Sequence, residues 1–191
     1  MQQKPFVIII ALLVIMISGK GVCGSKEMEF DFRLPIPEQS IHRQYLGLNS
    51  EDGFTLDQIH GQILIVQIFS MYCPVCQREA KNLNLFFSKI WNNLELRKQI
   101  KLIGIGAGNS DFEVGFFKDN YSIEFPLFSD NDFSIHKKIG QVRTPFFLVL
   151  KPGDSPLKPF FTHSGEIGSH EKFLDKIITE SGIELKPSKR K

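Results

Sequence analysis

The chain has 191 residues, 42% of them hydrophobic and 23% charged, with a formal net charge of +2. That length holds one domain with a full hydrophobic core and is short for two. The composition excludes a fibrous or low-complexity protein, and the near balance of charge argues against nucleic acid as the main partner.

The first 24 residues stand apart. Lys4 supplies a short positive start, Phe6 to Ile17 is an unbroken apolar run of twelve, and small residues follow to Gly24. As a helix such a run spans about 18 Å, against roughly 30 Å of membrane hydrocarbon. Residues 1–24 therefore read as a signal peptide, with an uncleaved anchor that tethers the chain to a membrane as the alternative. Cys23 follows Lys20, Gly21 and Val22, which do not form the pattern that precedes a lipid-modified cysteine. Removing the segment takes away Lys4 and Lys20, so Lys+Arg falls from 23 to 21 and equals the 21 acids. Export brings any thiols into an oxidising compartment, the periplasm or the outer face of the cytoplasmic membrane.

Residues 25–44, marked by Pro35 and Pro37, read as an extended lead-in. Between Leu46 and Gln62, turn signals flank an FTL run and predict a short strand pair. ILIVQIF, from Ile63 to Phe69, has the length and branching of a fully buried strand. From Pro74 to about Arg97, Leu83, Phe86, Phe87, Ile90, Trp91 and Leu94 recur at three- and four-residue steps and predict one helix. IKLIGIGA, Ile100 to Ala107, is the next buried strand. Ser110 and Glu113 form a capping-box spacing that opens a helix to about Lys118. A short strand over 124–130, a helix over 132–140 ended by glycine, strands at 146–151 and 160–165, and a helix over 170–182 complete the chain. The order predicts a three-layer α/β/α domain with a central mixed sheet over 45–183, an N-terminal strand-pair extension and a basic tail at 184–191.

FSMYCPVCQRE, residues 69–79, holds Cys73 and Cys76. Zinc sites need about four ligands, and no second C-x-x-C pair or H-x-x-x-H exists. Haem attachment needs histidine at position 77, which is glutamine. Dithiol chemistry suits the context. Cys73 falls where a buried strand turns into a helix, beside unpaired N–H groups and the positive end of the helix dipole, both of which stabilise a thiolate. Pro74 fits the first helical turn, where its missing N–H leaves nothing unpaired. Cys76, one turn on and facing inward, is the natural resolving thiol. A static buried disulfide is the structural alternative.

From about Leu46 to Gly182 the chain resembles thioredoxin-fold redoxins, most of all the exported TlpA/ResA-type thiol–disulfide oxidoreductases, a group related to the AhpC/TSA peroxiredoxins. The resemblance rests on DGFTLDQIHGQ, ILIVQIFSMYC, CPVCQRE, the Thr144–Pro145 pair before FFLVL, and FFTHSGEIG. It implies a thioredoxin-like fold, no cofactor, and protein dithiol or disulfide substrates with an upstream electron donor or acceptor protein. It implies Cys73 as attacking thiol and Cys76 as resolving thiol. Pro145 becomes a cis-proline beside them, with the Thr144 backbone free to pair with an extended peptide, and Glu79 an acid that moves protons to and from the cysteines. The alternative for Glu79 is a helix-surface glutamate stabilised by the dipole. Tyr72 and Pro74 join Thr144 in the partner-facing surface.

Three positions depart from the family pattern. Tyr72 replaces the usual tryptophan, Gln67 takes the place of a buried aspartate, and Pro74 follows the first cysteine as in glutaredoxin- and DsbA-type motifs. The last leaves the direction of electron flow open. A thiol peroxidase is the rival function, with Ser70 as the hydroxyl before the cysteine and Arg143 as a cation. Its P-x-x-x-T-x-x-C pattern, however, meets Val66 at the proline position. A redox-inert binding protein is the third reading, and the intact cysteine pair argues against it.

Overall fold

The computed structural model describes residues 28–184. The segment read as a signal peptide, Cys23 within it, and the basic tail beyond Glu184 lie outside the described residues. Among the described residues no helix is long and apolar enough to cross a membrane.

Five strands form one sheet in the order β3-β2-β1-β4-β5. β1 (Ile63–Phe69) and β2 (Ile100–Ala107) are buried along their whole length, as their near-continuous apolar runs require. They pair in parallel from Ile63 opposite Ile100 to Phe69 opposite Gly106. β3 (Leu127–Asp130) adds parallel to β2, while β4 (Phe146–Leu150) and β5 (Pro159–Ser164) are antiparallel. The sheet is the mixed one predicted, and the fold is α/β and thioredoxin-like.

α2 (Pro74–Asn92) joins β1 to β2, α4 (Asp111–Asn120) joins β2 to β3, and α5 (Ser134–Lys138) lies between β3 and β4. Right-handed crossovers that step the same way across a sheet put both helices on one face. Asn84 of α2 accordingly donates to the Tyr121 and Ser122 carbonyls just past α4, at 2.9 and 3.1 Å. α6 (His170–Ser181) packs beside α2 through Phe86 and Phe173, whose ring centroids are 5.6 Å apart. The Phe173 ring also meets Phe147 of β4 at 5.5 Å, and Phe161 and His163 of β5 at 6.1 and 5.5 Å. One side chain thus fastens α6 to two strands and to the helix that carries the cysteines.

Three local predictions change. The long helix breaks after Asn92, because Asn93 turns extended and its side chain accepts the N–H groups of Glu95 and Leu96. It thereby starts a separate α3 (Leu94–Gln99), as a short polar side chain does when it competes for backbone groups. The lead-in is not extended to its end, since α1 (Ser40–Leu46) occupies its C-terminal part and closes on Gly47 at φ +70°. Phe32 and Leu34 of this stretch are buried against the hydrophobic core. The strand pair over 46–62 reduces to one antiparallel bridge, in which Phe54 exchanges hydrogen bonds of 2.8 and 2.9 Å with Leu34. The partner comes from the lead-in. Leu56–Gln58 is instead a 3₁₀ turn closed by a Thr55–Gln58 capping box.

Candidate active site

β1 ends at Phe69, and the turn Ser70–Met71–Tyr72 delivers Cys73 to the N-cap of α2. This turn is braced from two directions. The Met71 N–H donates to Asn109 Oδ1 at 2.8 Å, and its carbonyl accepts from Gln77 Nε2 at 2.7 Å. Asn109 is fully buried in the β2–α4 connection, just after Gly108. Gly108 sits at φ +67° beneath the Phe133 ring, where a Cβ would collide. The exposed ring of Tyr72 is pinned by its hydroxyl, which donates to Glu113 of α4. That bond is the main cause raising the Tyr72 pKa. Glu113 also takes the Ser110 N–H and hydroxyl, completing the predicted capping box.

Cys73 and Cys76 are both free thiols, Cys73 half-buried and Cys76 buried. Cys73 Sγ accepts the Cys76 N–H at 3.3 Å, the N-cap geometry expected of a side chain at a helix start. It also donates to the Thr144 carbonyl at 3.4 Å. Burial works against the Cys73 thiolate, but the Thr144 side chain, the Cys76 thiol and the Cys76 and Val75 N–H groups outweigh it, and the pKa is lowered. Burial, then the adjoining Cys73, pushes the Cys76 thiol up to about 12. Iodoacetamide should therefore label Cys73 with an inflection below the ordinary thiol value, while Cys76 stays unlabelled at neutral pH. Peptide mapping that found both thiols equally modified would contradict this asymmetry.

The Thr144–Pro145 bond is cis. Pro145 is buried, Thr144 half-buried, and the Pro145 carbonyl accepts from the Gly165 N–H at 2.9 Å. Pro74 is exposed at the first position of α2. Glu79 does not lie on the helix surface, being only 5% exposed. Its Oε1 accepts the Ile167 N–H and Asn82 Nδ2, each at 3.0 Å. Burial raises its pKa, with those two donors opposing. Arg143 is exposed and is not among the groups acting on Cys73. Among the described residues no three His, Cys, Asp or Glu side chains converge as a metal set would.

The structure therefore brings Cys73, Cys76, Thr144 and Pro145 together, and buries Glu79 one turn beyond Cys76 on the same helix. Asn109, Gln77, Asn82 and the Ile167 amide are supports that the sequence reading did not single out. Asn82, three residues after Glu79, was the one with a local signal, because that spacing puts two helix side chains side by side.

A family model described as AhpC/TSA family matches residues 31–163. The chain belongs to the AhpC/TSA family. Solved structures similar to this family member include DsbF from MTB, with 15% identity, a TM-score of 0.56, and 79% of this chain and 96% of that one covered. A second is a secreted Mycobacterium tuberculosis disulfide oxidoreductase homologous to E. coli DsbE, at 14% identity and TM-score 0.57, covering 78% and 96%. A third is StoA from Bacillus subtilis, at 18% and 0.50, covering 65% and 88%. At such identities the likeness establishes the fold. A comparison with curated proteins returns no match.

Proposed function

We propose that this AhpC/TSA family member is a thiol–disulfide oxidoreductase that exchanges a Cys73–Cys76 dithiol with partner proteins outside the cytoplasm. The observation that carries this reading is the asymmetry of the pair. Cys73, half-exposed at a helix N-terminus with a lowered pKa, is an activated nucleophile, and Cys76, buried and raised to about 12, is held in reserve. The export-type N-terminal segment supports the location.

In the reducing direction, the Cys73 thiolate attacks one sulfur of a partner disulfide, and the other partner sulfur leaves as a thiolate. The partner segment lies along Thr144–Pro145. Burial still disfavours the Cys76 anion, but the bond and charge contributed by Cys73 vanish once Cys73 sits in the mixed disulfide. Cys76 then gives up its proton and attacks Cys73 Sγ. The Cys73–Cys76 bond forms and the partner departs as its second thiolate, reduced by two electrons. The reverse sequence oxidises a dithiol, and the partner's potential sets the direction. Glu79, buried and three residues further along the helix, is the base assigned to the Cys76 proton in this scheme.

A Cys76→Ser variant should hold its partner as a covalent adduct released by reductant. Recovery of no adduct from envelope fractions, together with rapid oxidation of Cys73 by hydrogen peroxide in the wild-type chain, would replace the exchange reading with peroxidase.

A further inference from the structure

Asn82 has an unusual use of one nitrogen. Its Nδ2 donates at 3.0 Å to Glu79 Oε1 and at 2.7 Å to the Gly168 carbonyl, so both amide protons are committed. The first bond lies within α2, and the second crosses to the turn between β5 and α6. The same turn sends the Ile167 N–H to the same Glu79 oxygen at 3.0 Å. Oε1 is thus held by two donors from two elements, while Oε2 makes no hydrogen bond among the described residues.

We propose that Asn82 is a positioning residue that, with the Ile167 amide, dedicates Glu79 Oε1 to structure and leaves Oε2 as the single atom through which the site's proton passes. This deepens the dithiol reading above and rests on it. An oxygen already receiving two N–H groups repels a third hydrogen, so a proton arriving at Glu79 binds Oε2. During resolution the Cys76 proton moves to Oε2 as Cys76 sulfur bonds to Cys73 sulfur and the partner thiolate leaves. Glu79 then gives that proton to water. In the reverse direction Oε2 returns it to Cys76.

The charged groups around Glu79 are few. His163 on β5 and Glu166 in the turn act on it in opposite senses, and Glu166 pairs with Arg78 of α2 at 3.3 Å. At the start of α6, Glu171 pairs with His170 at 2.8 Å and with Lys89 of α2 at 3.8 Å. On the helix itself Arg78 and Lys81 flank Glu79 in sequence, and Cys76 lies one turn before it.

The test uses the full chain carrying Cys23→Ser, which leaves Cys73 and Cys76 as its two thiols, and a small disulfide, 5,5′-dithiobis(2-nitrobenzoate), under stopped flow. The first release of thionitrobenzoate reports Cys73 attack, and the second reports resolution by Cys76. Asn82→Ala removes one donor from the ionised carboxylate. The inflection of the second phase should move to higher pH, and its rate on the acid side should fall about tenfold, the effect of one lost hydrogen bond to a charged group. Asn82→Asp, equal in volume but without the donor and with a like charge, should move the inflection further in the same direction. Glu79→Gln should remove that inflection altogether. Second-phase profiles of Asn82→Ala and Asn82→Asp that superimpose on wild type, while Glu79→Gln differs, would overturn the role of Asn82. A Glu79→Gln profile that also matches wild type would overturn Glu79 as proton carrier, and the inference with it. Failure of the dithiol reading has a separate signature: a Cys76→Ser chain that still releases the second equivalent.

Discussion

Cys73→Ser will lower the rate of disulfide exchange by on the order of a thousandfold or more, and it will do so without unfolding the domain. Serine preserves the N-cap role, since its hydroxyl oxygen can accept the Cys76 N–H that Cys73 Sγ accepts now. It does not preserve the chemistry. The bonds from Thr144, Cys76 and Val75 favour the thiolate of Cys73, but an alcohol starts far too high for such bonds to make it a comparable nucleophile. The measurement is turnover of a protein disulfide substrate alongside thermal unfolding. Activity within tenfold of wild type would show that another group performs the attack. Loss of fold would show that the cap depends on sulfur itself.

Phe173→Ala should be the most damaging change far from the cysteines, costing about 3–5 kcal/mol, the range for deleting a buried aromatic ring. Natural domains hold only about 5–15 kcal/mol in total, so the variant should sit near the edge of folding. The ring is 4% exposed and contacts α2, β4 and β5 at once, so no single element can move to fill the space. Urea titration should show a large drop in midpoint at unchanged slope. A loss under about 1.5 kcal/mol would mean that the site repacks as a volume-tolerant surface would. Because α6 follows the turn that carries the Ile167 amide, the same variant should also slow resolution by Cys76.

Much of this was legible in the chain because its signals are local. β1 and β2 are near-continuous apolar runs at the centre of a sheet, where burial on both faces leaves no alternation to misread. The Ser110–Glu113 box and the Gly182 stop act within one turn, and both ends fall where those residues stand. Cys73 was readable for the same reason, since a strand-to-helix junction fixes its environment within a few positions. The misreadings arose where partners lie far apart in sequence. Leu34 reaches across the 46–62 window to bridge Phe54, and Asn109 holds Met71 from 38 residues away. For Glu79 the chain left two readings open, a proton-moving acid or a helix-surface glutamate, because its covering partner is distant in sequence. Glu79 is buried because the turn around Ile167, 88 residues on, closes over it. Asn93 broke the long helix although the apolar stripe ran through it, because a cap competes for backbone groups that periodicity does not count.

The hydrogen bond from Cys73 Sγ to the Thr144 carbonyl can exist only while the sulfur carries its proton. When Cys73 ionises, a lone-pair donor faces a carbonyl oxygen across 3.4 Å, and that half-buried acceptor loses its partner. In the proposed exchange, an incoming peptide N–H is the natural replacement. The proton on the thiol therefore acts as a placeholder: its departure arms the nucleophile and, in the same event, vacates the berth for the chain to be attacked.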